Sequence, residues 1–226
     1  MLLPKYTSLA CTLGGAVIAL LVAKLYVYSY NVFPQARNHI LLLFIFCVAL
    51  ASGLVGLLIQ KLHYGAYTDA LTNLWNRRYF YIRLGEEINR MRRTGAPLCI
   101  ALVDVDDFKT INDFFGHSVG DNALVAIAGI LRQYTRSLDV IFRWGGDEFV
   151  IIFPQTGLEQ ATKVSERVRD IIATSPECCN ATVSVGLVAI DDDSDEKKVL
   201  ELVDKLLYEA KKMKNFVVSS VSGDTR

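Results

Sequence analysis

The chain has 226 residues, 24 Lys plus Arg against 24 Asp plus Glu, and five cysteines, which suits one domain of ordinary size with a short appendage. The balance hides an asymmetry. The only charged residues before Lys61 are Lys5, Lys24 and Arg37, so subtracting those three bases from 24 leaves 21 against 24 acids in the remainder, a poor match to nucleic acid. No nucleic-acid partner is expected. Cys11 and Cys47 lie in apolar runs, Cys99 in a strand-like stretch, and Cys178 and Cys179 are neighbours with no CxxC pair, so reduced thiols are expected rather than a disulfide framework or a zinc site.

Residues 1–60 are expected to hold two transmembrane helices, about 9–28 and 40–59, each roughly long enough to cross a bilayer core. Lys24 stands near one end of its run and can snorkel, beside the interfacial Tyr26, Tyr28 and Tyr30. A cleaved signal peptide is the alternative for the first run, but its length, weakly basic start and apolar successor argue against it. Asn31, Pro34 and Asn38 suit a short external hairpin. Lys61, His63, Arg77, Arg78 and Arg83 make the heavier basic flank, which predicts a multi-pass protein of the cell inner membrane with everything after the second span cytoplasmic.

Residues 61–67 read as a linker. A helix is predicted over 76–91, where Tyr79, Phe80, Leu84, Ile88 and Met91 fall near a helical period. Gly95 and Pro97 break the chain before an apolar strand at 98–105. An amphipathic helix follows over 124–134. Two short strands, 140–144 and 148–153, flank Gly145 and Gly146 as a hairpin. Then come a helix at 158–173, a strand at 181–190, an acidic turn at 191–196, a helix at 197–212 and a loose tail over 217–226. The order predicts an α/β (α+β) domain with a central mixed sheet over 68–216.

Two acidic clusters stand out. Asp104 closes the buried-looking strand, and Asp147 with Glu148 sits in the Gly-Gly hairpin. Carboxylates at strand ends beside a tight turn can share a cleft and, with a backbone carbonyl, make a hard oxygen site for Mg²⁺, with Mn²⁺ as an alternative. Taken singly, each reads as a solvated acidic loop, and Asp106 and Asp107 read as turn residues.

Arg143-Trp144-Gly145-Gly146-Asp147-Glu148-Phe149 resembles the signature of the GGDEF family of diguanylate cyclases. Three further blocks resemble that family in the same order. The first is Asp69-Ala70-Leu71-Thr72-Asn73-Leu74-Trp75-Asn76-Arg77-Arg78. The second runs from Asp104-Val105-Asp106-Asp107-Phe108-Lys109 through Asn112-Asp113 and Gly116-His117 to Gly120-Asp121. The third is Leu207-Tyr208-Glu209-Ala210-Lys211.

The resemblance implies condensation of two GTP into cyclic di-GMP with release of pyrophosphate, performed by a homodimer. It implies that Asp104, the Val105 carbonyl, Asp147 and Glu148 hold the metal ions, with Asp147, Glu148 and Lys109 in catalysis. Asp107, Phe108 and Lys109 hold the terminal phosphates through backbone amides, with charge from Lys109 and Lys211. Asn112 and Asp121 read guanine, and His117 supports the nucleotide. Arg136-Ser137-Leu138-Asp139 resembles the family's R-x-x-D inhibitory site, so cyclic di-GMP is expected as feedback inhibitor at Arg136 and Asp139, with Arg167 or Arg169 completing the site. A non-catalytic receptor for GTP or cyclic di-GMP is the main rival. A cyclase making a mixed dinucleotide is a second, against which Asp121 argues.

Two departures matter. Asn73 stands where the family commonly has Gly, and Asn tolerates positive φ. Lys212-Met213-Lys214-Asn215 lacks the glycine of the family's G-R-N ending and is a residue short, with Lys214 in place of the arginine.

Overall fold

The computed structural model describes residues 21, 22, 24, 27, 28, 37–191 and 196–222. The chain divides into two compact units, Met1–Leu62 and His63–Arg226.

The first unit contains most of helix α1, Arg37–Tyr67. This helix carries large apolar side chains in the open, among them Leu42, Leu43, Phe46, Leu50 and Leu54. The expected membrane hairpin, and with it the multi-pass inner-membrane placement, is overturned: among the described residues, no helix is long and apolar enough to cross a membrane. The run 9–28 lies almost wholly outside the described residues. The helix also continues through 61–67, the segment expected as a linker, because no proline interrupts it and a lone glycine, Gly65, is tolerated in a helix.

The second unit is built on a six-stranded sheet in the order β1-β3-β4-β2-β5-β6. Its strands are β1 Trp75–Asn76, β2 Leu98–Val105, β3 Val140–Arg143, β4 Glu148–Pro154, β5 Val183–Ile190 and β6 Val217–Val221. The inner pairings β3–β4, β4–β2 and β2–β5 are antiparallel, and the outer ones, β1–β3 and β5–β6, are parallel. β2 is buried along its full length, as a central strand covered on both faces must be, and this is why it reads as a continuous apolar run.

Helices cover both faces. Cys99, Ala101, Val103 and Val105 point to one side, against α4 (His117–Tyr134) and α5 (Leu158–Thr174). Leu98, Ile100 and Leu102 point to the other, against α2 (Arg77–Thr94) and α6 (Glu196–Met213). The period of two along β2 therefore divides the core into two halves. On the second face α6 lies directly on the sheet backbone. A Cβ on Gly186 would meet the Leu207 amide nitrogen and the Val203 carbonyl oxygen.

Local signals fix the element ends. Asn76 caps α2 by accepting from the Arg78 and Tyr79 amides at 3.0 and 3.2 Å. Gly95 ends it in the left-handed conformation, φ 67°. Residues 217–221, expected to be loose, form β6 in parallel register with β5, because the edge of β5 offers unpaired backbone groups to any chain that passes it.

Candidate active site

Sheet register assembles the acidic cluster. Asp104, the next-to-last residue of β2, lies between Glu148 on β4 and Ser184 on β5. The Val105 amide donates to the Asp147 carbonyl at 3.2 Å, so the hairpin that bears Asp147 is tied to the end of β2. The turn is held from behind by Arg143. Its guanidinium donates twice to the Gly146 carbonyl, at 2.7 and 3.2 Å, and once to Asp69 at 2.9 Å. Burial works against ionisation of Asp69, but hydrogen bonds from Thr72 and Arg143 outweigh it and hold the carboxyl below its usual range. Arg77 stacks over the Trp144 ring, 4.3 Å from the centroid.

Asp104 is 4% exposed. Its Oδ1 pairs with the Lys211 ammonium at 2.6 Å. Burial lifts this carboxyl to about 6. Lys211 pulls it back, and the charges of Asp147 and Glu148 add to the rise. Burial also raises Glu148, helped by Asp147 and opposed by Lys211 and Arg77. The three acids thus share one field, with Lys211 as their counter-charge.

Among the described residues, no three His, Cys, Asp or Glu side chains converge to hold a metal ion as they stand. The site still fits magnesium, which takes one or two carboxylates and completes its shell with water and phosphate. Three neighbouring acids, the buried one paired with a single ammonium, are the observation that suits it.

The segment after β2 turns into α3, Phe108–Phe115. Asp107 adopts φ 51°, a left-handed residue without a side-chain cap, so the first amides of the helix, at Phe108 and Lys109, lack intrahelical acceptors. Lys109 is exposed. Gly116 (φ 84°) separates α3 from α4, and His117 opens α4 at the surface. Asn112 reaches back to α4: a Cβ on Gly120 would collide with its Oδ1. The absence of that Cβ lets Asn112 sit beside the turn bearing the exposed Asp121. The structure therefore brings Asn112 and Asp121 to adjoining positions.

Arg136 and Asp139 form a tight turn. The Arg136 amide donates to Asp139 Oδ2 at 2.8 Å, and the Asp139 amide to the Arg136 carbonyl at 3.0 Å. Asp139 Oδ1 is buried without a partner. Burial raises this carboxyl, against the Arg136 amide and charge. Arg167 donates to the Tyr134 carbonyl at 2.6 Å, close to that turn, whereas Arg169 donates to the Asn215 carbonyl at 2.8 Å. Of the two arginines considered for this site, Arg169 is committed elsewhere.

Sequence reasoning missed Asp106, read as a turn residue. It is 8% exposed and accepts from Thr182 Oγ1 and Ser184 Oγ, both at 2.7 Å, and from the Asn215 amide at 2.9 Å. It does stand in the turn after β2, as read, and no local pattern signals its burial. Asn73 has φ 54°, as its replacement of a glycine predicts.

A mixed sheet with helices on both faces, and carboxylates gathered at a hairpin beside a helix start, defines an α/β domain of the nucleotidyl-cyclase kind. Residues 66–215 match the family described as "Diguanylate cyclase, GGDEF domain", and the chain belongs to that family. It is 43% identical over 152 residues to diguanylate cyclase DgcP of Pseudomonas aeruginosa, covering 65% of this chain and 23% of DgcP. It is 39% identical over 154 residues to the response regulator PleD of Caulobacter vibrioides, covering 65% of this chain and 34% of PleD. The matched part thus spans between about a quarter and about a third of these curated relatives. Among solved structures, the coiled coil and GGDEF domain of DgcB from Caulobacter crescentus in complex with c-di-GMP superposes with a TM-score of 0.73 at 27% identity, covering 82% of this chain and all of that one.

Proposed function

We propose that this chain is a diguanylate cyclase in which two domains, each holding one GTP, face each other as a homodimer. The 3′-hydroxyl of each GTP attacks the α-phosphorus of the other. Two phosphodiester bonds form, two pyrophosphates leave, and cyclic di-GMP results. The observation that carries this reading is Asp104: a buried carboxylate at the end of β2, paired with the Lys211 ammonium and in the field of Asp147 and Glu148, in a chain of this family.

Asp104, the Val105 carbonyl, Asp147 and Glu148 would hold magnesium, which supplies a lowered pKa for the attacking hydroxyl and neutralises charge on the leaving group. Asp147 takes the hydroxyl proton. The amides of residues 107–109 and the ammonium groups of Lys109 and Lys211 hold the terminal phosphates. Asn112 and Asp121 read the guanine edge, whose ring N–H and exocyclic amine suit two carboxylate oxygens, and His117 supports the nucleotide. Arg136, Asp139 and Arg167 bind the product. Asp139 Oδ1, buried and unpaired, is the acceptor for a guanine N–H.

The test is incubation of the purified chain with Mg²⁺ and GTP, with products resolved by chromatography. Cyclic di-GMP and pyrophosphate in a 1:2 ratio are expected. Binding of GTP or cyclic di-GMP with no turnover would instead establish a receptor. Arg136→Ala should raise the inhibition constant of cyclic di-GMP about tenfold, the worth of a hydrogen bond to a charged group. Equal inhibition of variant and wild type would reject the product site and leave the cyclase standing.

A further inference from the structure

The hairpin that bears Asp147 hangs at one end of a chain of hydrogen bonds, and at the other end stands a residue to which the proposed reaction assigns no role. Arg143 holds the Gly146 carbonyl with two donors and reaches Asp69 Oδ1 with a third. The same Asp69 oxygen accepts from the Thr72 amide at 2.9 Å and from the Thr72 hydroxyl at 2.7 Å. Asp69 is thereby fixed to the turn 69–74, which closes on itself. The Asp69 amide donates to the Leu74 carbonyl at 2.8 Å, and the Asn73 amide to the Asp69 carbonyl at 2.9 Å. The turn depends on Asn73 keeping φ 54°, a left-handed conformation open to Asn but sparsely populated. Packing does little to keep it there. Asn73 is exposed and lines a cleft of about 450 Å³ between the turn and the start of β3. The anchor beside this open space is Arg132, in the last turn of α4, whose guanidinium donates to the Asn73 carbonyl.

We propose that Arg132 is a positioning residue for the reaction. By holding the Asn73 carbonyl it fixes the turn 69–74, and through Asp69 and Arg143 it sets where the Gly146–Asp147 peptide stands relative to Asp104. It touches neither nucleotide nor metal ion. The inference rests on the metal-holding role of Asp147 and adds a group that acts on that residue from a distant element. α4 then serves the cleft at both ends, reading guanine through Asp121 near its start and steadying the hairpin through Arg132 in its last turn.

A double-mutant cycle on the full chain tests it, read as steady-state kcat and KM, as equilibrium binding of Mn²⁺ followed by electron paramagnetic resonance, and as Tm. Arg132→Met should lower kcat about tenfold, a fraction of the roughly 10²-fold that a misplacement of about 1 Å costs. Mn²⁺ affinity should fall about tenfold, the low end of the range for a group that orients a metal ligand. KM for GTP should stay within about twofold, because the residues that read the base do not hang on this turn. Arg132→Met introduced into Arg143→Met should add no further loss, since the link to the hairpin is already cut. Should Arg143→Met not fold, Asp69→Asn takes its place in the cycle. Multiplicative losses in the double variant, or wild-type kcat and Mn²⁺ affinity in Arg132→Met whatever its Tm, would reduce Arg132 to a surface residue and overturn the proposal. If the wild-type chain binds GTP and Mn²⁺ without turnover, the Mn²⁺ cycle alone decides between these outcomes. A wild-type chain that binds no divalent ion overturns the metal reading itself, whereas normal binding with multiplicative losses overturns only the role of Arg132.

Discussion

Asp104 and Asp106 leave the same strand end two residues apart, both buried, and meet opposite surroundings. On the hairpin side, Asp104 has two neighbouring acids and a lone ammonium, that of Lys211 at 2.6 Å. On the α3 side, Asp106 accepts three hydrogen bonds, from two hydroxyls and an amide. Buried polar groups that only support a fold are satisfied, because each unmade bond costs about 1–3 kcal/mol. A buried carboxylate crowded by two like charges, with one ammonium to offset them, marks the place where a cation completes the structure. The two acids are told apart by their surroundings without reference to any motif.

The sharpest way to break this contrast is Asp104→Asn. Turnover should fall on the order of 10²–10³-fold or more, as for removal of a preorganised charge, while the fold persists. The same variant should gain stability in metal-free buffer at pH 7.5. The folded carboxyl titrates near 6 against 3.8 ordinarily, so its favourable contribution is complete below about pH 4 and is lost as pH rises through 6. Thermal unfolding should therefore show Asp104→Asn above wild type at pH 7.5 and level with it at pH 4. A variant less stable at both values would mean that Asp104 is scaffold after all.

Gly186→Ala probes the scaffold alone. Its Cβ would run into the backbone of α6 at Leu207 and Val203, which cannot yield as a side chain can. A loss of about 3 kcal/mol is expected from denaturant unfolding, and a loss under 1 kcal/mol would show that α6 can lift from the sheet. Gly120→Ala lies between the two regimes. Alanine gains about 1 kcal/mol of helix propensity, yet its methyl displaces the Asn112 side chain. Stability should change little while KM for GTP rises about threefold to tenfold, the cost of one weakened hydrogen bond. An unchanged KM would detach Asn112 from the base.

How much was legible in the sequence follows the same division. β2 announced itself as an unbroken apolar run because both its faces are covered. α5 and α6 came out within a residue or so of their observed ends, since their faces keep helical period. α4 begins at His117 rather than 124, because its first turns, through Gly120 and Asp121, carry too few apolar residues to show a helical period. β6 was invisible: Val-Val-Ser-Ser-Val is a strand only beside β5. The acidic cluster was legible through its motifs. The scaffold role of Asp106 was not, since its hydroxyl partners lie 76 and 78 residues away and no local pattern pairs them. Apolar content in the first sixty residues suggested membrane spans, which the helices among the described residues do not bear out.

The strand order β1-β3-β4-β2-β5-β6 also governs how the domain comes into being. Its central strand is flanked by β4 and β5, which arrive much later in the chain, so the sheet closes through distant pairings whose loop entropy precedes their reward. Asp104 finds its neighbours only when three strands have met. A partly folded or truncated chain that lacks β5 therefore has no half-strength version of this cleft. Activity should return on refolding in a single phase together with the sheet, and proteolysis anywhere within 98–190 should remove activity and cooperative unfolding as one event.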